Sequence, residues 1–356
     1  MTKILKLPGL VDTHVHLREP GWEYKEDFTT GTKAAIAGGY TQVLDMPNNP
    51  TPIISKAALE NKIKLAKGRI YADLGFHFGG SPDAIKEFKK VYKKTFGLKV
   101  YMNHTTGPLL VENQNDLEKI FSSWPKEKVI MVHAEGDTLK KAILLAKQFK
   151  RRLHVCHVSL KMQVDLIRKA KKEKVKISCE VGCHHLFLTD EDVKRLKNYG
   201  MMRPPLATKK DQKALWKGIN DGTIDTIASD HAPHTKQEKE DKTKVVNGVP
   251  GLETSLPLLL TALSKGKLSK EKLIALTSKN PRKIFNLPKQ ENTWVEIDLD
   301  KNYVIKAKSL YTKCGWTPFE EMKVKGAIKR VILRGQVVFE NGKILEKAKG
   351  KVIFPI

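Results

Sequence analysis

Residues 12–18, Asp12-Thr13-His14-Val15-His16-Leu17-Arg18, place two imidazoles and a guanidinium at alternate positions just after an apolar run, Leu7-Pro8-Gly9-Leu10-Val11. Alternate residues of a strand share a face, so a strand continued through this stretch would project His14, His16 and Arg18 together. Two imidazoles side by side make half of a tetrahedral metal site, and a guanidinium beside them suits an anionic substrate. A lone His-x-His serves equally well as a pair of structural histidines. Its meaning depends on whether further ligands arrive at the same place.

Further candidates close later apolar runs. Lys99 lies in 97–102 and His133 ends 128–133. Cys156 and His157 end 152–157, Glu180 ends 175–180, and Asp230 ends 223–230. An ammonium cannot bind a metal, but a buried lysine deprotonates more readily. The free amine can then take up carbon dioxide to become a carbamate, whose two oxygens can bridge two cations. Lys99 has apolar flanks, Leu98 and Val100, that suit this role. An inward lysine paired with an acid is the alternative.

These residues need a scaffold that brings strand ends together. With 8–13, 40–45 and 71–77, the apolar runs number eight, and helix signals separate most of them. Ser81-Pro82-Asp83 offers an N-cap, a first-turn proline and a first-turn acid ahead of a helix over 84–95. Ser159 opens a helix over 160–172, and Thr189-Asp190-Glu191-Asp192 opens another with an acidic first turn. Eight strand–helix units predict an α/β fold, the (β/α)8 TIM barrel, with its chemistry at the C-terminal strand ends. Every candidate above falls at or near such an end. After residue 285 short Val/Ile alternations and Glu340-Asn341-Gly342 predict a small β-rich appendage formed by the two chain termini. The expected division is a barrel over 8–285 and an appendage of 1–7 plus 286–356. The charged segment 235–247 reads as a solvated loop.

The chain has 356 residues, 40% hydrophobic and 29% charged, as expected of a soluble globular protein. No apolar run approaches the roughly 20 residues of a membrane span. Residues 1–10 leave no room for a signal peptide before the first strand, and four cysteines do not suggest a disulfide framework. A cytoplasmic protein is the expectation, without membrane association. The formal net charge of +26 raises nucleic-acid binding. Against it, only ten of the 65 basic residues are arginines, and the lysines spread along helix faces with no zinc-finger or RNA-binding aromatic motif. A lysine-rich solvated surface accounts for the charge, and its field would speed encounter with a small dianion.

Taken together, Leu-Pro-Gly-Leu-Val-Asp-Thr-His-Val-His-Leu-Arg-Glu-Pro-Gly (7–21), Met-Pro-Asn (46–48), Gly-Leu-Lys (97–99), His-Ala-Glu (133–135), Cys-His-Val (156–158), Cys-Glu-Val (179–181), His-His-Leu-Phe-Leu (184–188), Ala-Ser-Asp-His-Ala-Pro-His-Thr (228–235) and Gly-Leu-Glu-Thr (251–254) resemble the dihydroorotases of the amidohydrolase superfamily. The likeness extends in particular to the dihydroorotase domain of the animal CAD multienzyme. It implies one zinc on His14, His16, Asp230 and carboxylated Lys99, and a second on Lys99, His133 and His157, with a hydroxide bridging the pair. It also implies a third zinc, for which Cys156 and Glu180 beside His14 would be the ligands; a small buried thiol is the plainer reading of Cys156. Asp230 would be both ligand and proton shuttle. Arg18 and Asn48 would hold the substrate carboxylate, with His234 facing it and Arg203 reaching the ring side. Thr105 falls at the substrate-touching threonine of a mobile loop. Asn247 stands where the animal domain has a proline whose backbone touches substrate. The resemblance further implies reversible cyclisation of N-carbamoyl-L-aspartate to L-dihydroorotate in pyrimidine synthesis, a homodimer, and association with other enzymes of that pathway.

Hydantoinases, dihydropyrimidinases and allantoinases would carry nearly the same metal residues. Arg18 separates them, because a ring without a carboxylate has no use for it. A metal-free scaffold relative would have lost a histidine ligand or Lys99, and this chain has lost none.

Overall fold

In a computed structural model of the chain, the described residues are 3–345 and 347–356. Met1, Thr2 and Glu346, three positions of the expected appendage, lie outside them. Strand β1 (Ile4–Pro8) leads into β2 (Leu10–Val15), followed by β3 (Tyr40–Asp45), β4 (Asp73–Phe76), β5 (Phe78–Gly79), β6 (Gly97–Tyr101), β7 (Val129–His133), β8 (Arg152–Val155), β9 (Ile177–Gly182) and β10 (Thr226–Ala228). Strands β2 to β4 pair in parallel, and β5 to β10 pair in parallel in chain order. β4 and β5 flank His77 and act as one interrupted strand, bonded to β3 on one side and β6 on the other. The ring closes where Val15 bridges His231 and the His16 N–H donates to the His231 carbonyl at 2.8 Å. This is the (β/α)8 barrel.

Strands β2, β3, β6 and β7 are buried at every position, as parallel strands covered on both faces must be. Val11, Leu44, Met131 and Cys156 join Phe285 in one apolar cluster that fills the barrel interior. A larger cluster packs the outer strand faces against the helices. Helix Phe28–Ala37 starts where the Asp27 side chain accepts the Thr30 N–H, and Lys209–Asp221 ends on Gly222 in the left-handed region.

Two helix starts differ from expectation. In place of a helix over 84–95 there is a 3-10 segment, Pro82–Glu87, and one α turn, Phe88–Val91. β6 begins at Gly97, and the chain must turn over 92–96 to enter it; the Ser81 hydroxyl caps nothing. Helix Lys161–Lys172 has Leu160 at its cap position, and Gln163 Oε1 accepts the N–H groups of Ser159 and Leu160. The Gln163 amide thus reaches back to the residues before the helix, and the first helical N–H, that of Lys161, is taken by Asp211 Oδ1 at 2.9 Å rather than by the serine. Thr189 caps Asp190–Leu196 as expected.

β1 pairs antiparallel with β11 (Trp294–Val304), which continues through β12 (Lys323–Leu333), β13 (Gln336–Glu340) and β14 (Lys343–Ile344). Asn341 and Gly342 both have positive φ (48° and 88°), the geometry of a two-residue hairpin turn. The chain end returns to the barrel: the Leu74 N–H donates to Lys351 O, and the Ile353 N–H to Leu74 O, both at 2.9 Å. No helix of the described residues is long and apolar enough to cross a membrane.

Segment 235–247 is only partly the solvated loop expected. Residues 241–245 are exposed, but Lys236–Glu240 is helical and Lys239 is buried. Its ammonium donates to the carbonyls of Asn198, Met201 and Val246 at 2.9–3.0 Å, which pins the segment to the barrel.

Candidate active site

β2 does not run evenly into the site. Asp12 pairs with Val43 and Val15 with Asp45, so β2 carries one residue more than its partner between these pairs. Such a bulge shifts the phase of alternation at Thr13 and His14. The strand then ends at Val15, and Arg18 sits in the left-handed region at φ 66°. His14, His16 and Arg18 do line one cavity, through a bulge and a bent backbone rather than an uninterrupted strand. The Asp12 carboxylate accepts the N–H groups of His14 and Ser229, both at 3.0 Å, and so ties the start of the site to its end.

The cavity sits at the C-terminal strand ends. Lys99, His133, His157 and Asp230 line it with His14 and His16. Asp230 Oδ1 stands 3.2 Å from His16 Nε2 and 3.4 Å from His14 Nε2. Burial raises the Asp230 carboxyl, but the imidazoles of His14, His16 and His184 outweigh it and hold the group well below the usual carboxylate range. Burial pushes His16 down to about 3, so its imidazole is neutral. Lys99 is fully buried, with Nζ 3.0 Å from Cys156 Sγ and 3.5 Å from His14 Nε2.

The donor set fits metal ions. His16 presents Nδ1 to Asn48 Oδ1 at 2.7 Å, His14 presents Nδ1 to Glu180 Oε1, and His133 presents Nε2 to Glu135 Oε1 at 3.0 Å. In each, one nitrogen is held by an oxygen and the other is left facing the cavity, the arrangement that fixes a metal-binding tautomer. His133 Nδ1 and His157 Nε2 face each other at 2.9 Å, and burial lowers both rings. Two neutral lone pairs cannot oppose each other unless a proton or a cation stands between them, and the remaining nitrogen, His157 Nδ1, is buried without a partner. Among the described residues, two sets of donor atoms lie close enough together to hold an ion: His14, His157 and Asp230, and His14, Cys156 and Glu180. In the second set burial pushes the Cys156 thiol well up. Burial also acts to raise Glu180, but His14 and His154 outweigh it and keep the carboxylate ionised.

Arg18, Asn48, Thr105, Arg203 and Asn247 line the same cavity. Arg18 is 3% exposed, and burial lowers it only to about 10, which leaves it charged. Its Nε donates to Pro233 O at 3.0 Å and its Nη2 faces His234 Nε2 at 3.2 Å. His234 lies one layer out. With Lys25, Arg203 and Asn247 it lines an adjoining vestibule of about 480 Å3. Asn48 also donates to Thr106 O at 2.9 Å and so links the 103–110 segment to His16.

Three side chains around the site carried no expected role. His184 lines the cavity, and burial keeps it neutral at about 4. Its signal was available, because it follows Glu180 by four residues just past β9. Glu135, which holds His133, stood in the His-Ala-Glu motif without a role of its own, and Lys62 has no local mark in the sequence.

The sequence profile of the amidohydrolase family matches residues 5–338. The chain is 44% identical over 344 residues to the multifunctional protein CAD of Squalus acanthias, covering 96% of this chain but only 15% of that one. It is 38% identical over 362 residues to a dihydroorotase of Pyrococcus horikoshii, covering 98% of this chain and 84% of the relative. Among solved structures, the L-hydantoinase (dihydropyrimidinase) of Arthrobacter aurescens superimposes with a TM-score of 0.94 at 29% identity, covering 99% of this chain and 89% of that one.

Proposed function

The chain belongs to the amidohydrolase family, and from that premise we propose that it is a zinc-dependent dihydroorotase, interconverting N-carbamoyl-L-aspartate and L-dihydroorotate in pyrimidine synthesis. The observation that carries the reading is one cavity in which the histidines, Lys99 and Asp230 meet a buried, charged Arg18. His14, His16, Asp230 and a carboxylated Lys99 would hold one zinc; Lys99, His133 and His157 would hold a second; and Cys156 and Glu180, with His14, would hold a third. When bound, the paired metals supply a water of lowered pKa and polarise the carbonyl under attack.

The side chains account for the rest. Arg18, Asn48 and His234 hold the substrate carboxylate, the guanidinium by a two-pronged contact. Arg203, the Asn247 backbone and Thr105 close on the ring. Oδ1 of Asp230 faces His14 and His16, which leaves Oδ2 to move the proton. In ring opening it accepts the proton of the attacking water and delivers it to the departing ring nitrogen; ring closure runs the transfer backwards. The division into a barrel over 8–285 and an appendage of 1–7 plus 286–356, a homodimer, a cytoplasmic location and association with other pyrimidine-pathway enzymes belong to the same proposal.

The L-hydantoinase likeness favours a second reading, hydrolysis of a ring without a carboxylate. Turnover of dihydroorotate, dihydrouracil and hydantoin by purified, zinc-loaded protein decides between them. Dihydroorotate is expected to react fastest, and turnover of the other two without dihydroorotate would overturn the first reading.

A further inference from the structure

Lys62, on helix Lys56–Ala66, is 1% exposed and does not line the cavity. A buried ammonium persists only where its protons find acceptors. Two oxygens accept its protons, Asn49 Oδ1 at 2.7 Å and Met46 O at 2.9 Å, and Asp45 Oδ2 stands 2.6 Å away as its counter-ion. All lie in 45–49, the segment that carries Asn48. The network then reaches Arg18 from both sides. Asp45 Oδ1 accepts the Leu17 N–H at 2.8 Å, and Asn49 Nδ2 donates to Pro20 O at 3.0 Å.

We propose that Lys62, with Asp45, is a positioning residue for the substrate carboxylate: one buried ammonium sets the spacing between Arg18 and Asn48. The proposal rests on the dihydroorotase reading. Stability alone does not call for this ion pair, since well-packed apolar residues replace such pairs at little or no cost. The bonds run to the two segments that bear Arg18 and Asn48, which are the segments a carboxylate must find correctly spaced.

The double variant Lys62→Met/Asp45→Asn removes both buried charges together and keeps an oxygen for the Leu17 N–H. Its expected phenotype is an unchanged zinc content, a melting temperature lowered by a few degrees because Met46 O and Asn49 Oδ1 lose their donor, kcat within about threefold, and KM for dihydroorotate raised roughly tenfold. A folded, zinc-replete double variant whose KM stays within about twofold of the parent overturns the proposal, as does a loss confined to kcat. Should the double variant not fold, Asn49→Ala decides. It removes one of the two acceptors and the Pro20 bond, and a KM rise of roughly threefold supports the proposal where an unchanged KM refutes it. Failure of the parent protein to turn over dihydroorotate would instead refute the functional reading, so the two failures are distinguishable.

Discussion

Arg18→Ala tests the substrate assignment most directly. The guanidinium has five N–H donors. Nε is committed to Pro233 O and one Nη2 proton faces His234. Both Nη1 protons and the second Nη2 proton remain, enough for a two-pronged contact with one carboxylate. Hydrogen bonds to charged groups contribute about 1.5–3 kcal/mol each, and water entering the vacated space recovers part of that. A net loss of about 3 kcal/mol corresponds to a KM for dihydroorotate raised roughly 150-fold. Alanine keeps a Cβ at φ 66°, so the backbone cost at this position is unchanged and folding is not the variable. Zinc content should not move, because guanidinium is no metal donor. Steady-state kinetics in both directions, with zinc measured on the same samples, give the answer. A variant with ordinary zinc and a KM within twofold of the parent would remove Arg18 from substrate binding, and with it the argument against a hydantoinase.

Lys99→Ala should lose turnover and zinc together, and an active, zinc-replete variant would refute the carbamate bridge. Cys156→Ser should lower bound zinc from three per chain to two by elemental analysis; a parent protein with only two would remove the third site. Glu253→Gln tests a half-buried acid in the first turn of helix Leu252–Ser264. Burial pushes Glu253 up to about 8, against the opposing N–H groups of Tyr311 and Thr312. A carboxyl raised above its unfolded value takes up a proton on folding, so stability falls as pH climbs from about 4.5 through about 8. The neutral glutamine escapes this, and its melting temperature should gain a few degrees on the parent between pH 5 and 9. A difference that does not change with pH would show Glu253 to be ionised throughout.

The strand-end residues were legible because a barrel gathers whatever stands at the C-terminal ends of its strands, and hydrophobic runs mark those ends. His133, His157 and Asp230 needed no more than that. The bulge at Thr13 and His14 was not legible, because it arises from pairing with β3 and no local residue marks it. Lys62 and Lys239 were hidden for a different reason. Each is one lysine among dozens, and only tertiary packing separates a buried ammonium ringed by oxygens from a solvated one. The same packing made Asp211, fifty residues away, rather than Ser159 the acceptor of the Lys161 N–H at a helix start.

The site divides into two parts held by different means. The side chains proposed as metal ligands stand on or directly beside barrel strands, whose paired backbones leave little freedom. The side chains proposed to meet the carboxylate and ring stand on loops: Arg18 after β2, Asn48 after β3, Arg203 after β9, and His234 and Asn247 after β10. Loops tolerate replacement, so ring selectivity can change while the strands and their ligands stay as they are. That is why a close superposition on a hydantoinase is compatible with a different substrate. The two parts nevertheless touch at one bond, His16 Nδ1 to Asn48 Oδ1. Through it the residue expected to hold the carboxylate also fixes the tautomer of a metal-facing imidazole, so the carboxylate contact and the metal geometry are not independent. The Lys62 contacts run to Asp45, Met46 and Asn49 and none reaches His16, so Lys62 sets the spacing of Asn48 from Arg18 without touching the imidazole itself.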